Sequence, residues 1–330
     1  MGYVLYNLFF RTNSFSQGEG QAEVELNLDY IYNFLGQTIA QSDTSFYSLI
    51  LLLILVGLNW AGETFKWKLL VSQIQPTTWS LAWKSILSGV AMSNITPYRI
   101  GGYVARVALL PHENRIKAVS NILLGDFSQL LIGIIAGCIA TLLLIVNLPS
   151  DNAMIWTLQW SSWVLLVNAV NGIILFIALK KLANRLSKVR FLKRWKGTFE
   201  AVQKTAHVKN AIILLVLSSF RFFVIIIQYY LAYKLFGWDV SFGTSLLIVA
   251  SLLMIYNFLP TFNMFEFGMT KTAILLFLLE TIYGKSYITF DLALLVSCSS
   301  FLIWLINLAL PAFIGSIFVF NMNLFRTKKT

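Results

Sequence analysis

Helix-breaking residues and charged residues occur together at two places in this 330-residue chain. At the first, the apolar stretch 85–95 ends at Thr96 and Pro97, and Arg99 and Gly101 follow. Proline lacks a backbone N–H group and glycine weakens a helix, so we expect an interruption here. If a new helix starts after it, the free N–H groups and nearby arginines would converge on one anion.

The second place lies in the other half of the sequence and has the same ingredients. The apolar stretch 245–259 ends at Pro260, and Glu266, Gly268 and Lys271 follow. Broken backbone at membrane depth is tolerated only inside protein or beside a water-filled cavity. A matched pair of broken segments therefore predicts a transporter binding site between them.

Further charged residues are candidates for the same site. Asp126 and Arg221 interrupt long apolar stretches, where an ionisable group costs about 3 kcal/mol or more and usually faces the bundle interior. They either form a structural ion pair, or Arg221 faces a cavity and binds phosphate. Arg99 and Arg106 either bind the same anion or are ordinary basic loop residues. Glu266 either balances a cationic head group or coupling proton, or is an interfacial acid.

The remaining reactive residue types are few and scattered. Cys138 and Cys298 lie in apolar stretches without C-x-x-C spacing, and His112 and His207 are isolated in sequence. These residues predict no metal site and no catalytic set. We expect no cofactor and, despite the net charge of +11, no nucleic-acid partner.

The elements that position these residues are predicted to be membrane-spanning helices. The chain is 58% hydrophobic and 12% charged, with a mean hydropathy of +0.73, and several windows exceed the roughly 20 apolar residues that cross a bilayer. The fold class is therefore an all-α polytopic membrane helix bundle with pseudo-repeated halves. The candidate spans are 46–64, 81–95, 118–148, 156–179, 211–236, 242–259, 269–283 and 292–320, with a kink at Pro311.

The chain divides into a polar N-terminal segment 1–45, a membrane domain 46–325 and a basic tail 326–330. Most of the excess charge lies in the loop 180–209, whose apolar residues recur every three or four positions. This pattern predicts an amphipathic helix that binds anionic membrane lipids. The alternative is a topological anchor without a substrate role.

The distribution of Lys and Arg predicts the orientation. It places the loop 180–209 and the C-terminus on the cytoplasmic side. We expect the membrane to be the inner membrane of a bacterium. Segment 81–95 is then re-entrant, and 242–283 is either a re-entrant hairpin or two full spans. Whether a further span precedes residue 46 stays open, as does the oligomeric state.

Several motifs resemble the transmembrane region of lysylphosphatidylglycerol synthases. They are Asn59-Trp60 with Lys66-Trp67-Lys68-Leu69-Leu70, Thr96-Pro97-Tyr98-Arg99-Ile100-Gly101 with Arg106, and Pro260-Thr261 with Glu266-Phe267-Gly268. The likeness covers about 46–325. It departs at Gly102, where the family has Glu, and at Thr270, where it has Arg, with Lys271 adjacent.

The resemblance implies translocation of a phospholipid or polyprenyl-linked lipid between leaflets. The family's enzymes also carry a C-terminal aminoacyl-transfer domain, which this chain is expected to lack. We therefore expect a flippase-like protein whose head-group site includes Arg99, Arg106 and Arg221. The alternatives are a membrane-embedded transferase acting on a lipid-linked substrate and a partner subunit that does not transport.

Overall fold

The structure is a computed structural model that describes residue 36 and residues 45–96, 99–146, 153–188, 196–259 and 268–320. The predicted N-terminal segment, apart from Gly36 and Ser45, and the predicted tail 326–330 lie outside the described residues. The described helices are α1 (Ser45–Val71), α2 (Trp79–Ile95), α3 (Ile100–Ala108), α4 (His112–Ile145), α5 (Ala153–Leu186), α6 (Lys196–Thr205), α7 (Val208–Leu235), α8 (Phe242–Tyr256), α9 (Met269–Tyr283), α10 (Phe290–Trp304) and α11 (Leu310–Phe320).

Five helical segments among the described residues are long and apolar enough to cross a membrane. They are Tyr47–Val71, His112–Ile145, Ile155–Leu186, Val208–Leu235 and Phe290–Phe320. The last joins α10 and α11 through a π-helical turn, Leu305–Ala309. Pro311 cannot donate to the carbonyl of Asn307, which accounts for the irregular turn just before it. The prediction of an all-α polytopic bundle is confirmed.

The first predicted interruption forms a re-entrant hairpin of α2 and α3. These helices have 17 and 9 residues, so they extend roughly 25 and 14 Å, less than the 30 Å of a hydrocarbon core. Gly102 of α3 packs against Gly89 and Ser93 of α2. The beginning of α2 and the end of α3 share one apolar cluster. The chain thus enters and leaves on the same side.

The second interruption forms another hairpin, of α8 and α9, which have 15 residues each. The Lys271 ammonium lies 5.0 Å from the ring centroid of Tyr256, so the end of α8 meets the beginning of α9. At that end, Gly268 packs on the backbone of Ser300, about a third of the way along Phe290–Phe320. Each helix extends only about 22 Å, less than the roughly 30 Å of a hydrocarbon core, so 242–283 is a hairpin rather than two full spans.

The two halves are related as an inverted repeat. Each half consists of a span, a hairpin and a second span: α1, α2–α3 and α4, then α7, α8–α9 and α10–α11. The same contacts occur in both, and the first helix of each hairpin packs on the second span of the other half, α2 on α11 and α8 on α4. Since the spans between them reverse the direction of the chain, the hairpins enter from opposite faces.

The predicted amphipathic helix in 180–209 differs from the observed structure. Helix α5 continues to Leu186, and a separate helix α6 follows, while 189–195 lie outside the described residues. Helix α6 packs on α4 and α5, and Thr205 at its end accepts a 2.6 Å hydrogen bond from the Asn121 side chain. The described basic residues on this face are Lys68, Lys84, Arg115, Lys117, Lys180, Lys181, Arg185, Lys188, Lys196, Lys204 and Lys209.

Candidate functional site

A cavity of about 410 Å³ is lined by residues from both hairpins. The first hairpin contributes Arg99 and Tyr103, and the second contributes Tyr256, Asn257 and Lys271. Because the hairpins enter from opposite faces, the cavity is near the middle of the bundle. The other polar residues that line it are Asn59, Glu63, Ser93, Arg106, Asp126, Gln129, Arg221, Tyr229 and Asn307.

Glu63 on α1 is the electrostatic centre of this cavity. It is 3% exposed, and its carboxylate is 3.1 Å from the Lys66 ammonium and 3.4 Å from the Arg106 guanidinium. It also accepts a hydrogen bond from Nη1 of Arg221. One carboxylate therefore serves three basic side chains from α1, α3 and α7, which belong to both halves of the repeat.

Arg106 reaches this position because α2 has no side chain at Gly89. A Cβ atom at Gly89 would overlap the aliphatic part of the Arg106 side chain. Nη1 of Arg106 is 3.5 Å from Oδ1 of Asp126 on α4. Arg106 thus bridges two carboxylates, and the glycine in α2 allows the close approach.

A chain of polar side chains continues from Arg221 toward the last span. Nε of Arg221 donates to Oδ1 of Asn59 at 3.0 Å, and Nδ2 of Asn59 donates to Oδ1 of Asn307 at 3.2 Å. Nδ2 of Asn307 in turn donates to Oε1 of Gln228 at 3.0 Å. Asn307 lies in the π-helical turn before Pro311, so this irregular turn contributes directly to the network.

The described residues that line the cavity carry a net positive charge. Four basic side chains, Arg99, Arg106, Arg221 and Lys271, face two acidic ones, Glu63 and Asp126. Positive charge is expensive within a bilayer. A site of this charge in a low dielectric attracts an anion strongly.

The predicted site residues fall into three groups. Five of them line the cavity: Arg99, Arg106, Asp126, Arg221 and Lys271. Three hold the hairpin turns: Thr96, Gly101 and Gly268. Three lie outside the described residues: Pro97, Pro260 and Glu266.

Thr96 and Gly101 connect the two helices of the first hairpin. Oγ1 of Thr96 donates to the Met92 carbonyl at 2.7 Å and accepts from the Gly101 N–H at 3.0 Å. A Cβ atom at Gly101 would lie 2.6 Å from Thr96 Cγ2. In this conformation the threonine hydroxyl is engaged within the hairpin.

Sequence reasoning missed Glu63, and the structure does not contain the ion pair that was one of the two alternatives for Asp126 and Arg221. Arg221 contacts Glu63, and Asp126 contacts Arg106, whereas the sequence suggested that Asp126 and Arg221 could pair. Lys66 lies beyond the predicted span 46–64 but is 2% exposed inside α1. The spacing Asn59, Glu63, Lys66 places three polar side chains on one face of an apolar helix, which is the signal that could have found them.

The fold and site define a class: a polytopic membrane protein with two opposed hairpins that enclose a charged cavity. The sequence profile of the lysylphosphatidylglycerol synthase TM region matches residues 33–281. The chain belongs to this family. Among curated proteins, and among solved structures, no match was found.

Proposed function

We propose that this protein moves a lipid with an anionic head group between the two leaflets of the membrane. The observation that carries the proposal is the meeting of two opposed hairpins at one charged cavity. Inverted repeats with broken helices at mid-depth are the architecture of alternating-access transporters. Membership of a family associated with a lipid-related enzyme supports lipid as the substrate.

In this mechanism Arg106 and Arg221 bind the phosphate of the head group. Guanidinium groups match phosphate oxygens in two-point geometry. In the structure, Glu63 and Asp126 neutralise the two arginines. An arriving phosphate competes with these carboxylates, and their release lets the hairpins shift relative to each other. The acyl chains stay in the surrounding lipid throughout.

The charge of the cavity limits the head group. A phosphodiester or a polyprenyl-linked phosphate complements the four basic and two acidic residues in the described part of the lining, whereas a head group with net positive charge is repelled. Arg99 and Lys271 stand at opposite hairpin turns and are placed to guide the anion from either side. A modified phospholipid fits only if it keeps a net negative charge.

The orientation follows from the distribution of charge over the two faces. The face that carries α6 is strongly basic. On the opposite face Lys234 donates a hydrogen bond to Asp239, which lowers the pKa of that carboxyl group. By the positive-inside rule the basic face is cytoplasmic, in a bacterial plasma membrane, where it also attracts anionic lipids.

The test is leaflet exchange of fluorescent lipids in vesicles that contain the purified protein. We expect exchange of anionic phospholipid well above that of empty vesicles, and slower exchange of a cationic analogue. The charge-neutral variant R106Q/D126N removes the anion ligand without leaving a buried charge, and should lower exchange at least about tenfold. K84Q, on the exposed part of α2, is the matched control and should leave exchange unchanged.

Two results would contradict the proposal. Exchange no faster than in empty vesicles across several anionic head groups would exclude translocation of these lipids. A new or missing lipid species in a deletion strain, with sidedness unchanged, would instead support membrane-embedded transfer chemistry.

A further inference from the structure

Helix α5 stands apart from the inverted repeat. It connects the two halves and packs mainly on α4 and α6. Only 17% of its spanning window is buried, the smallest share among the described spans. None of its residues lines the central cavity. The exposed surface of α5 therefore serves neither the repeat nor the site.

One stripe of this surface is unusually polar for a membrane span. Its residues are spaced by four and three positions alternately, and all of them are exposed: Thr157, Ser161, Val164, Asn168, Asn171 and Leu175. We call these six residues the polar stripe. The two asparagines lie near the middle of Ile155–Leu186, where lipid is most apolar.

The neighbouring stripe, one position earlier in sequence, has the opposite character. It consists of Trp156, Trp160, Trp163, Val167, Val170 and Ile174, which are also exposed. This composition is typical of a lipid-facing surface, with tryptophans toward one end. Four of the exposed polar side chains in the spanning part of α5 thus lie on one line, whereas Gln159 near its beginning lies off that line.

The asparagine amides are poorly satisfied within this chain. Asn168 donates to the carbonyl of Val164 in its own helix, while its amide oxygen accepts no hydrogen bond from the described residues. The Asn171 side chain makes no hydrogen bond within the described part of the protein. Hydrocarbon cannot supply the missing partners, and asparagines in membrane helices drive association through interhelical hydrogen bonds.

We propose that the polar stripe is the contact between two copies of this chain. A carboxamide is both donor and acceptor, so an asparagine complements the same asparagine of another copy. Two copies inserted with the same orientation are related by a two-fold axis along the membrane normal. Their α5 helices then run parallel, and each stripe residue meets its counterpart.

The spacing of the stripe agrees with this arrangement. Alternate steps of three and four residues form the seam of a left-handed helix pair that crosses at about 20°. Val164 and Leu175 flank the asparagines as apolar contacts of the seam. Since other helices line the cavity, the dimer leaves the cavity of each copy accessible. The proposed contact does not depend on the proposed function.

Disulfide cross-linking in native membranes tests the contact. In a background of C138A and C298S, single cysteines are introduced by V164C and L175C in the polar stripe and by V167C and I174C in the neighbouring stripe. We expect oxidation to give a dimer-sized product from V164C and L175C, and little from the other two. Cross-linking mainly through V167C and I174C would overturn the proposal.

The strength of association tests the asparagines themselves. N168L/N171L should weaken dimerisation roughly tenfold, measured by single-molecule photobleaching in vesicles at increasing dilution. V167L/V170L, one position away on the same helix, is the matched control and should dimerise as the parent does. Equal dimer fractions for both double variants, or a cross-linked product with a protein of another mass, would exclude the proposed self-contact.

Discussion

The two hairpins share one packing scheme but are held by different chemistry. The first is tied to the bundle by ions, because Arg106 of α3 reaches Glu63 and Asp126. The described contacts of the second hairpin with α4 are apolar and weakly polar. Its helix α8 meets α4 through the Thr141–Ser251 hydrogen bond of 2.9 Å and a 3.3 Å contact between the Cys138 and Met254 sulfur atoms.

The two halves of the repeat therefore share the same helix packing but contribute different charged residues to the cavity. Both described carboxylates of the cavity, Glu63 and Asp126, come from the first half. The second half contributes Arg221 and Lys271. Glu63 and Arg221 therefore join the two halves through a largely buried ion pair, and breaking such a pair is costly.

The largest effect is expected when Glu63 is neutralised. Among the described residues, E63Q leaves Asp126 as the remaining carboxylate near Lys66, Arg106 and Arg221. Removing one partner of a buried ion cluster costs about 3–5 kcal/mol. We expect a large fall in the thermal unfolding temperature in detergent. E113Q, exposed in the first turn of α4, should change it little.

A second substitution separates charge from packing at this position. K66M removes one of the cations that Glu63 neutralises, so the double variant E63Q/K66M should recover part of the lost stability. Wild-type stability of E63Q would show that the three basic groups do not depend on this carboxylate. The conclusion that ion pairs hold the first hairpin to the bundle would then be wrong.

The shared packing scheme is tested by two equivalent glycines. Gly137 lets α8 approach α4, and Gly315 lets α2 approach α11. A Cβ atom at Gly137 would lie 2.7 Å from the Ala250 carbonyl oxygen, and one at Gly315 would overlap the Leu87 backbone. G137A and G315A should each destabilise the protein by about 1–3 kcal/mol, measured by unfolding in detergent.

The control for this pair is G57A, because a Cβ atom at Gly57 would meet nothing within 4 Å. Alanine is the better helix former there and should be neutral or slightly stabilising. If only one of the two close-approach glycines were sensitive, the packing of the halves would not be equivalent.

Thr96 distinguishes a structural role from a binding role at the first hairpin turn. T96V removes a hydroxyl that both donates to Met92 and accepts from Gly101, so we expect a loss of about 1 kcal/mol. T96S keeps both hydrogen bonds and should retain stability. A large loss of lipid exchange in T96S, with stability unchanged, would indicate that the threonine contacts substrate instead.

The sequence predicted the elements well because their signals are local. The length of an apolar stretch indicates a membrane span. The end of α2 at Ile95 and the start of α9 after Gly268 could be predicted from the backbone properties of proline and glycine. Arg99, Arg106, Asp126, Arg221 and Lys271 could be chosen as candidates because a charge within an apolar stretch must be compensated. These five residues do line one cavity.

The partners could not be predicted, because they depend on which helix faces meet. Asp126 has Arg106 beside it only because α3 turns back along α2 toward α4. Glu63 was missed because Lys66 and Lys68 follow it and together resemble a basic loop, while α1 in fact continues to Val71. Lys66 is buried because α1 continues beyond residue 64, where the predicted span ended.

The smallest effect in stability concerns the first residue of each returning helix. Arg99 and Gly268 both precede their helices in a left-handed conformation, with φ of 59° and 79°. Glycine adopts this region freely, whereas other residues pay about 1–2 kcal/mol. R99G should therefore raise the unfolding free energy by about 1 kcal/mol or less, while lowering exchange of anionic lipid several-fold through the lost charge.

The reverse change at the other hairpin has no such benefit. G268A adds both backbone strain and a Cβ atom 2.7 Å from the Ser300 carbonyl, so it should destabilise the protein. R99N tolerates the left-handed region better than most residues and lacks the charge, so it should exchange lipid as slowly as R99G. If R99N exchanged lipid at the full rate, the positive charge of Arg99 would not be needed for transport. The residues that precede α3 and α9 would then be equivalent in chemistry as well as in geometry.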